Sequence, residues 1–473
     1  MRVPLRVPVL LLTFAFAACL GGRGLQDSVV NDVSQLNPIP VERVVRPGTI
    51  AEVQQLVAGH PGPISIGGAR HSMGGQIATE GALALDMREL NHVVEFSPAQ
   101  RWITVEAGMT WRQIQSVIDP ENLSLRIMQS YANFTVGGSL SVNAHGRYVN
   151  EGPIIRSVRS LQIVLANGEL VSASPTQNAE IFYGAIGGYG GLGVIVTATL
   201  DLVPNEPLET HVVEMPLVDY PAWFAREVRA STTAVMHNAD FYPPRYDRAT
   251  AITYTRTDKP VTVAERLQPD DASYTGDRVA IFWLSELPFG RSLREHVADP
   301  LRLHDGRVVW RNYEASYDTA NVEPWSRGHT SYLLEEYFVP AAGFDAFVPE
   351  LVDILERHDV NAINVSIRWA GKDPGSLLAW APDERFAFVI FYKQRVDREA
   401  QTEVGQWTRE LIDAALSVGG SYYLPYQLHA TEDQFRRAYP RAPEFFALKA
   451  RVDPTNKFRN KLWDKYAAPR PKT

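Results

Sequence analysis

Apolar residues in the first two hundred positions recur with two different periods. Ile50, Val53 and Leu56–Val57 fall at helical spacing and predict a helix over Thr49–Ala58. Ile64–Ile66, Ala82–Asp86, Val93–Phe96 and Ile103–Glu106 are short runs of strand formers. Thr110 stands at a capping position ahead of Trp111, Ile114, Val117 and Ile118, which share one helical face. Val158–Ala166 and Glu169–Ser172 flank Asn167-Gly168, the dipeptide of a type I′ hairpin. A helix over Ala179–Ile186 then gives way to Val194, Val196, Ala198 and Leu200, whose alternation is that of a strand. This mixture predicts an α+β fold rather than a doubly wound sheet.

Pro204 and Pro207 with Asn205 between them break that strand and mark a boundary. Beyond it, β-rich runs at Val279–Leu284, Val308–Tyr313, Ser331–Val339, Ile363–Trp369 and Phe386–Lys393 lie among helical patterns. The helices are expected at Pro221–Ala230, Phe344–Arg357 and Glu399–Val418, the last ended by Gly419-Gly420. A sheet with one face covered by helices and the other free to roof a ligand follows from that alternation. Thr431 and Gln434 form a capping box for a further helix.

Composition changes this picture mainly at the N-terminus. Arg2 and Arg6 precede an apolar run, Val9–Ala18, too short to span a bilayer, which reads as an export signal over residues 1–18. The run ends Phe16-Ala17-Ala18-Cys19, similar to a bacterial lipoprotein box, although Phe16 stands where leucine is commoner. The expectation is an exported protein, periplasmic or membrane-anchored through a lipid on Cys19. An ordinary cleaved signal is the alternative. Cys19 is the only cysteine, so the mature chain has no disulfide, no cysteine metal site and no cysteinyl cofactor linkage. No metal site of another kind is expected. The formal net charge of −8 argues against a nucleic-acid surface, and 45% hydrophobic residues suffice for a large core.

The candidate chemistry lies in three glycine-rich stretches. The first, Ile66-Gly67-Gly68-Ala69-Arg70-His71-Ser72-Met73-Gly74-Gly75, follows a strand and places a histidine in a loop whose backbone can approach an anion. The second runs Asn133-Phe134-Thr135-Val136-Gly137-Gly138-Ser139-Leu140-Ser141-Val142-Asn143-Ala144-His145-Gly146, and its small residues suit a cofactor lying flat against the backbone. The third is Gly187 to Gly193, in which Gly188, Gly190 and Gly193 match G-x-G-x-x-G. That match is rejected on context, because the dinucleotide fingerprint needs a strand before it and a helix after it. Here the order is reversed. No Gly-Lys-Ser/Thr marks a P-loop either.

Three such stretches in one order point to a single extended ligand. Gly-Ala-Arg-His-Ser at 68–72, Val-Gly-Gly-Ser-Leu-Ser at 136–141, His-Gly at 145–146 and Gly-Gly-Leu-Gly-Val-Ile at 190–195 resemble the FAD-binding (PCMH-type) domain of the vanillyl-alcohol oxidase superfamily. The resemblance implies FAD held by Ile66, Gly67, Gly68, Ala69, Arg70, His71 and Ser72, by Thr135, Gly137, Gly138, Ser139 and Ser141, and by His145, Gly146, Gly193, Ile195 and Asn460. It also implies a covalent bond from His71 to the flavin. The first loop is similar to alditol oxidases, and His-Ser-Met-Gly-Gly-Gln at 71–76 to cytokinin dehydrogenases. The implied domains are residues 31–205 for FAD, 206–450 for substrate, and a tail at 451–473 returning to the flavin domain.

In the second half, Glu335-Glu336-Tyr337-Phe338-Val339-Pro340 resembles the Glu-Tyr/Trp-x-x-Pro segment of sugar and aldonolactone oxidases. The ordinary reading of a strand glutamate is a solvated side chain; a place in the pocket is the alternative for Glu336. Alditol-oxidase-like proteins carry Glu-x-Arg where this chain has Ser366-Ile367-Arg368. That places Arg368 toward the flavin, to stabilise charge or hold a substrate oxygen, and leaves Ser366 where the acid is expected. Val389 and Phe391 stand where those enzymes have polar residues, which disfavours a free polyol. The closing segment, through Ala438-Tyr439-Pro440 and Val452-Asp453-Pro454, also resembles decaprenylphosphoryl ribose oxidases, with Tyr426 in place of their lysine. Tyr426 reads first as an aromatic wall and second as a proton donor or base. The implied reaction is oxidation of a CH–OH carbon of a small-molecule substrate, with oxygen or another acceptor. Tyr426, Ser366 and Lys393 are the candidates for the hydroxyl proton. Amine oxidation of the cytokinin type and a non-catalytic flavin-binding lipoprotein are the alternatives.

Overall fold

The computed structural model describes residues 28–270, 272–286, 305–324 and 326–467. The export segment and Cys19 lie outside the described residues. Among the described residues no helix is long and apolar enough to cross a membrane.

The fold is α+β. A small parallel sheet sets Leu83–Asp86 between Arg43–Val45 and Ile64–Gly67. The helix Ile50–Gly59 leads into it, its first turn capped by the Thr49 hydroxyl accepting from the Glu52 amide. Beside it lies a larger antiparallel sheet in the order Leu170–Ala173, Val158–Val164, Val194–Pro204, Trp102–Glu106, Val93–Ser97, with Leu123–Leu125 added to the far end of Val194–Pro204. Val53, Val57, Ile64, Leu83 and Leu85 from the first unit pack on Val164, Val194 and Val196 from the second. This is the ordinary union of two one-sided apolar layers.

The second half forms an eight-stranded sheet whose central strands are, in order, Ala234–Phe241, Ala362–Ala370, Arg385–Arg395 and Thr330–Pro340. Side chains alternate across it. Phe386 and Phe388 meet Phe344, Phe347 and Phe224 on the helix-covered face. Val389 and Phe391 face the other way, into a cavity. The covering helices are Phe344–Arg357 and Arg398–Ser417, packed on each other and on the sheet. Gly419, with φ +76°, ends the longer one.

Three elements differ from the sequence reading. The run Val279–Leu284 is not a strand but part of the helix Thr275–Glu286. A strand would place residues 281 and 283 on one face. Instead Ile281 is buried while Phe282 and Trp283 are 42% and 49% exposed. Six apolar residues fit either period, so the run alone could not decide. The strand at Val308 stops at Trp310, and Arg311–Glu314 turns helical. The hairpin at Asn167-Gly168 is not type I′, which needs positive φ at both residues. Only Gly168 has it, at +84°, and the Gly168 amide donates to the Leu165 carbonyl at 2.8 Å, as in a type I turn followed by a left-handed glycine.

The C-terminal segment runs back along the small parallel sheet. The Ile64 amide donates to the Lys457 carbonyl at 2.7 Å, and the Arg459 amide to the Ile64 carbonyl at 3.0 Å. Lys449, buried in the helix Ala442–Val452, donates to the Asp453 carboxylate at 2.7 Å, the Gly191 carbonyl at 2.8 Å and the Phe458 carbonyl at 2.9 Å. One ammonium therefore ties the third glycine stretch to the tail. Lys449→Met keeps the volume and leaves the buried Asp453 carboxylate without its counter-charge, held by the Lys457 and Phe458 amides. It is expected to destabilise the protein by about 3 kcal/mol, read as a lower urea midpoint at equal cofactor content.

Candidate active site

The strand Ile64–Gly67 ends in a loop that the sequence bends sharply. Arg70 has φ +60°, a conformation an L-residue adopts only when its surroundings hold it there. Asp86, fully buried at the end of the neighbouring strand, supplies the hold. Its carboxylate meets Arg88 at 2.6 Å, Arg46 at 3.3 Å and Arg70 at 3.5 Å. Burial pushes the Asp86 carboxyl up, and the guanidiniums of Arg88 and Arg70 outweigh this and hold it below its usual value. The loop's far end is pinned as well. Asp32 accepts from the Gly75 amide at 2.9 Å, and Asn37 donates to the Met73 carbonyl at 2.9 Å. Gln76 donates to the carbonyls of Leu424 at 2.6 Å and Tyr426 at 2.8 Å, while the Met73 amide donates to Pro425 at 2.7 Å. The loop bearing His71 and the segment bearing Tyr426 are thus stitched together.

Between these anchors, the amides of residues 68–72 donate to no protein acceptor among the described residues. Five consecutive unpaired amides beside a cavity are a site for an anion's oxygens. The cavity measures about 500 Å³. Two glycines of its wall are packed too closely for a side chain: a Cβ on Gly68 would come within 2.1 Å of Thr135 Oγ1, and one on Gly193 within 2.5 Å of the Val164 carbonyl oxygen. His71 lines the same cavity with its ring 4.5 Å from that of Phe134. Burial lowers the His71 pKa against the opposing pull of Glu323 and Asp318, which keeps the imidazole neutral near pH 7.

The substrate-domain sheet forms the opposing surface, and its register fixes which groups share a row. Asp240, Ser366, Val389 and Glu336 are paired in succession across four strands. Asn364, Phe391 and Leu334 make the next row. Polar groups on the strands Ala234–Phe241 and Ala362–Ala370 therefore give way to an apolar patch of Val389, Phe391 and Leu334, with the Glu336 carboxylate beyond Val389. Asp240 accepts from the amides of Asn238 and Asn364, each at 3.1 Å, and fixes both. Asn238 in turn accepts from Arg147, which is paired with Glu314 at 2.9 Å. Arg368 also lines the cavity, and its Nε is buried without a protein acceptor. Glu336 accepts from Tyr426 at 3.2 Å and lies 2.7 Å from His145 Nε2.

Ile66 through Ser72, Thr135, Gly137, Gly138, Ser139, Ser141, His145, Gly193, Ile195, Ser366, Arg368 and Tyr426 all line this one cavity. Three sequence candidates do not. Lys393, two residues beyond Phe391, is buried outside the lining. Asn460 spends its side chain on the Tyr189 carbonyl at 2.8 Å and on capping the helix Lys461–Tyr466, so it supports the third glycine stretch from behind. Gly146 is a packing glycine, since a Cβ there would stand 2.1 Å from the Met128 carbonyl oxygen. Glu336 is not the solvated strand glutamate of the ordinary reading but a pocket residue. Asp86, Asp32, Asn238, Asp240, Asn364 and Arg147 were missed. The only signal for Asn238 and Asp240 is a pair of polar residues two apart inside the strand Ala234–Phe241.

Comparison with known proteins agrees with this geometry. Residues 41–174 match the family model of an FAD binding domain. The chain is similar to decaprenylphosphoryl-beta-D-ribose oxidase of Mycolicibacterium smegmatis, at 24% identity over 83% of this chain and 86% of that protein. It is similar to alditol oxidase of Streptomyces sp., at 25% identity over 89% of this chain and 94% of that protein. Its likeness to cytokinin dehydrogenase 10 of Oryza sativa subsp. japonica, at 29% identity, covers 35% of this chain and 32% of that protein.

Gly68→Ala forces a methyl group onto the stiff, β-branched Thr135 in the wall of the FAD-binding domain. The expected outcome is a fall in bound flavin affinity of about tenfold, from roughly 1.4 kcal/mol of overpacking. It is read by titrating FAD into protein carrying His71→Ala, which removes the expected covalent bond, with and without Gly68→Ala.

Proposed function

We propose that this chain, similar over most of its length to FAD-dependent oxidases, is a PCMH-type FAD-dependent oxidoreductase that carries FAD covalently on His71 and oxidises a hydroxyl-bearing carbon of a partly apolar small molecule. The observation that carries the reading is the run of five free amides at 68–72 lining the same cavity as Arg368 and Tyr426. FAD, when bound, supplies the hydride acceptor. The chain's own residues do the rest. The amides of residues 68–72 meet the pyrophosphate, and Thr135 and the glycines 137 and 138 leave room for the cofactor's body. His71, kept neutral by burial, presents a ring nitrogen with a free lone pair for the covalent bond. Arg368, with a buried N–H lacking a partner, is placed to hold a substrate oxygen or to stabilise negative charge.

Substrate preference follows from the two-sided surface. Asn238, Asn364 and Ser366 offer hydrogen bonds to hydroxyls on one side, while Val389, Phe391 and Leu334 on the other would leave hydroxyls unpaired. A compound with hydroxyls along one edge and an apolar group along the other satisfies both. Ser366 in place of an acid separates this chain from the alditol pattern, and Lys393 lies too far along its strand to take the proton. Amine oxidation finds less support. The cytokinin likeness covers only about a third of the chain. Export with lipid on Cys19, and oxygen or another acceptor for reoxidation, complete the reading.

The deciding experiment is an anaerobic panel of free polyols, alkyl and aryl glycosides, lactones and amines, scored by bleaching of the flavin. Bleaching is expected from the alcohols, most strongly from those with an apolar group. Bleaching by amines alone would establish the amine reading, and none at all the non-catalytic one. Repeating the panel in air, with peroxide as readout, separates oxygen from another acceptor. A second measurement addresses the linkage: acid-precipitated wild-type protein is expected to stay yellow and His71→Ala protein to turn colourless. Covalent flavin in His71→Ala would refute the attachment.

A further inference from the structure

Tyr426 meets Glu336 in a setting that restricts what either can do alone. Glu336 is 2% exposed and His145 6%. The two carboxylate oxygens are divided between neighbours that both reach the cavity: His145 Nε2 lies 2.7 Å from Oε1, and the Tyr426 hydroxyl donates to Oε2 at 3.2 Å. The rings of Trp380 and Phe338, 4.8 Å and 5.7 Å from that of His145, close off the far side. A buried carboxylate with both oxygens engaged and one donor open to the reaction space is a place for a proton to go.

The sheet register adds a reason. The family's acid is absent at Ser366, but Glu336 lies in the same row, two strands away through Val389. Two strand spacings amount to about 10 Å, too far for one carboxylate to serve both positions. Tyr426, bonded to Glu336, lines the same cavity as Arg368 and lies near enough for that guanidinium to act on its hydroxyl. Burial, and then the adjacent Glu336, push the Tyr426 hydroxyl well above its usual value, with Arg368 acting weakly the other way. Tyr426 is therefore a protonated phenol at neutral pH. Such a phenol is not a base by itself; it accepts a proton only as it gives one up.

We infer that Tyr426 passes the proton of the substrate hydroxyl to Glu336, with His145 holding the carboxylate in place. This rests on the alcohol-oxidation reading. With the flavin as oxidant, the substrate C–H bond breaks and its electron pair leaves as hydride to reduce that flavin, while the substrate O–H bond breaks and an O–H bond forms at Tyr426. The original Tyr426 O–H bond breaks and an O–H bond forms at Glu336. The substrate becomes the carbonyl product, and the net charge of the pair rises by one on the carboxylate. Tyr426 is the catalytic residue that touches substrate, Glu336 the proton store, and His145 a positioning residue. The titratable groups facing the cluster are His145, Arg368, Tyr189, Tyr423 and Tyr439.

The test uses the flavin-loaded full chain and any alcohol that bleaches it. Tyr426→Phe keeps the ring against Tyr423 and is expected to lower kcat by about a hundredfold or more, with KM changed far less. Glu336→Gln, which cannot take up the proton, is likewise expected to lower kcat by about a hundredfold. Infrared difference spectra on anaerobic reduction by the alcohol should show a new carboxylic-acid band in wild type that both variants lack. A structural role alone would not produce that band. Independently of turnover, the Tyr426 phenol should titrate at lower pH in Glu336→Gln, read as ultraviolet difference against Glu336→Gln/Tyr426→Phe. Wild-type kcat in Tyr426→Phe, or a reduction band that persists in Glu336→Gln, overturns the relay while leaving alcohol oxidation standing. Absence of bleaching by every alcohol overturns the oxidation reading itself. Should Glu336→Gln fail to accumulate, Tyr426→Phe and its infrared spectrum decide alone.

Discussion

Five adjacent backbone amides without protein acceptors are the constraint around which this molecule is built. Unpaired amides beside a cavity are tolerable only where a ligand or water completes them, and a loop bearing them collapses onto other acceptors unless held apart. Asp86 holds its first half through Arg70, Asp32 and Asn37 hold its second half, and Gln76 fastens it to the segment before Tyr426. None of these anchors touches a reacting atom. Asp86, Asp32 and Asn37 fix the shape of the glycine loop, and Gln76 ties it to the segment of Tyr426, so the two walls of the cavity form one unit despite lying some 350 residues apart in sequence.

The substrate surface depends on a second constraint, the two-residue period of a strand. Glu335 and Glu336 are neighbours in sequence and have opposite fates. Glu335 turns to the helix-covered side, where its Oε1 has no partner and burial pushes its carboxyl well above the usual range, the Gln427 backbone opposing this only in part. Glu336 turns to the cavity and finds His145 and Tyr426. One residue of register decides which carboxyl joins the chemistry. The same alternation sends Phe386 and Phe388 into the core and leaves Val389 and Phe391 to shape the pocket.

Polar and apolar halves of that pocket come from different strands. The polar half is rigid because Asp240 fixes two amides and Arg147 is locked against Glu314. Burial works against the Arg147 charge, and Glu314 beside it outweighs that penalty. The apolar half has no such lattice. On the proposed reading, hydroxyls would be recognised on the first side and shape on the second.

By itself the sequence determined the cofactor and the class of fold. Glycine spacing is a local property: where backbone must approach a ligand, side chains are missing, and the gaps at 67–68, 137–138 and 190–193 are visible without coordinates. Most strands and helices were legible for the same reason, since period and caps are written within ten residues. What tertiary structure decided is everything that depends on residues far apart. It turned Val279–Leu284 into a helix, because a six-residue apolar run has no period of its own. It moved Lys393, Asn460 and Gly146 out of the cavity lining and brought Asn238, Asp240 and Asn364 in. It changed Glu336 from a solvated strand residue into the partner of Tyr426. A side chain's neighbours across a sheet are set by strand order and register, and those are fixed only when the whole chain has packed.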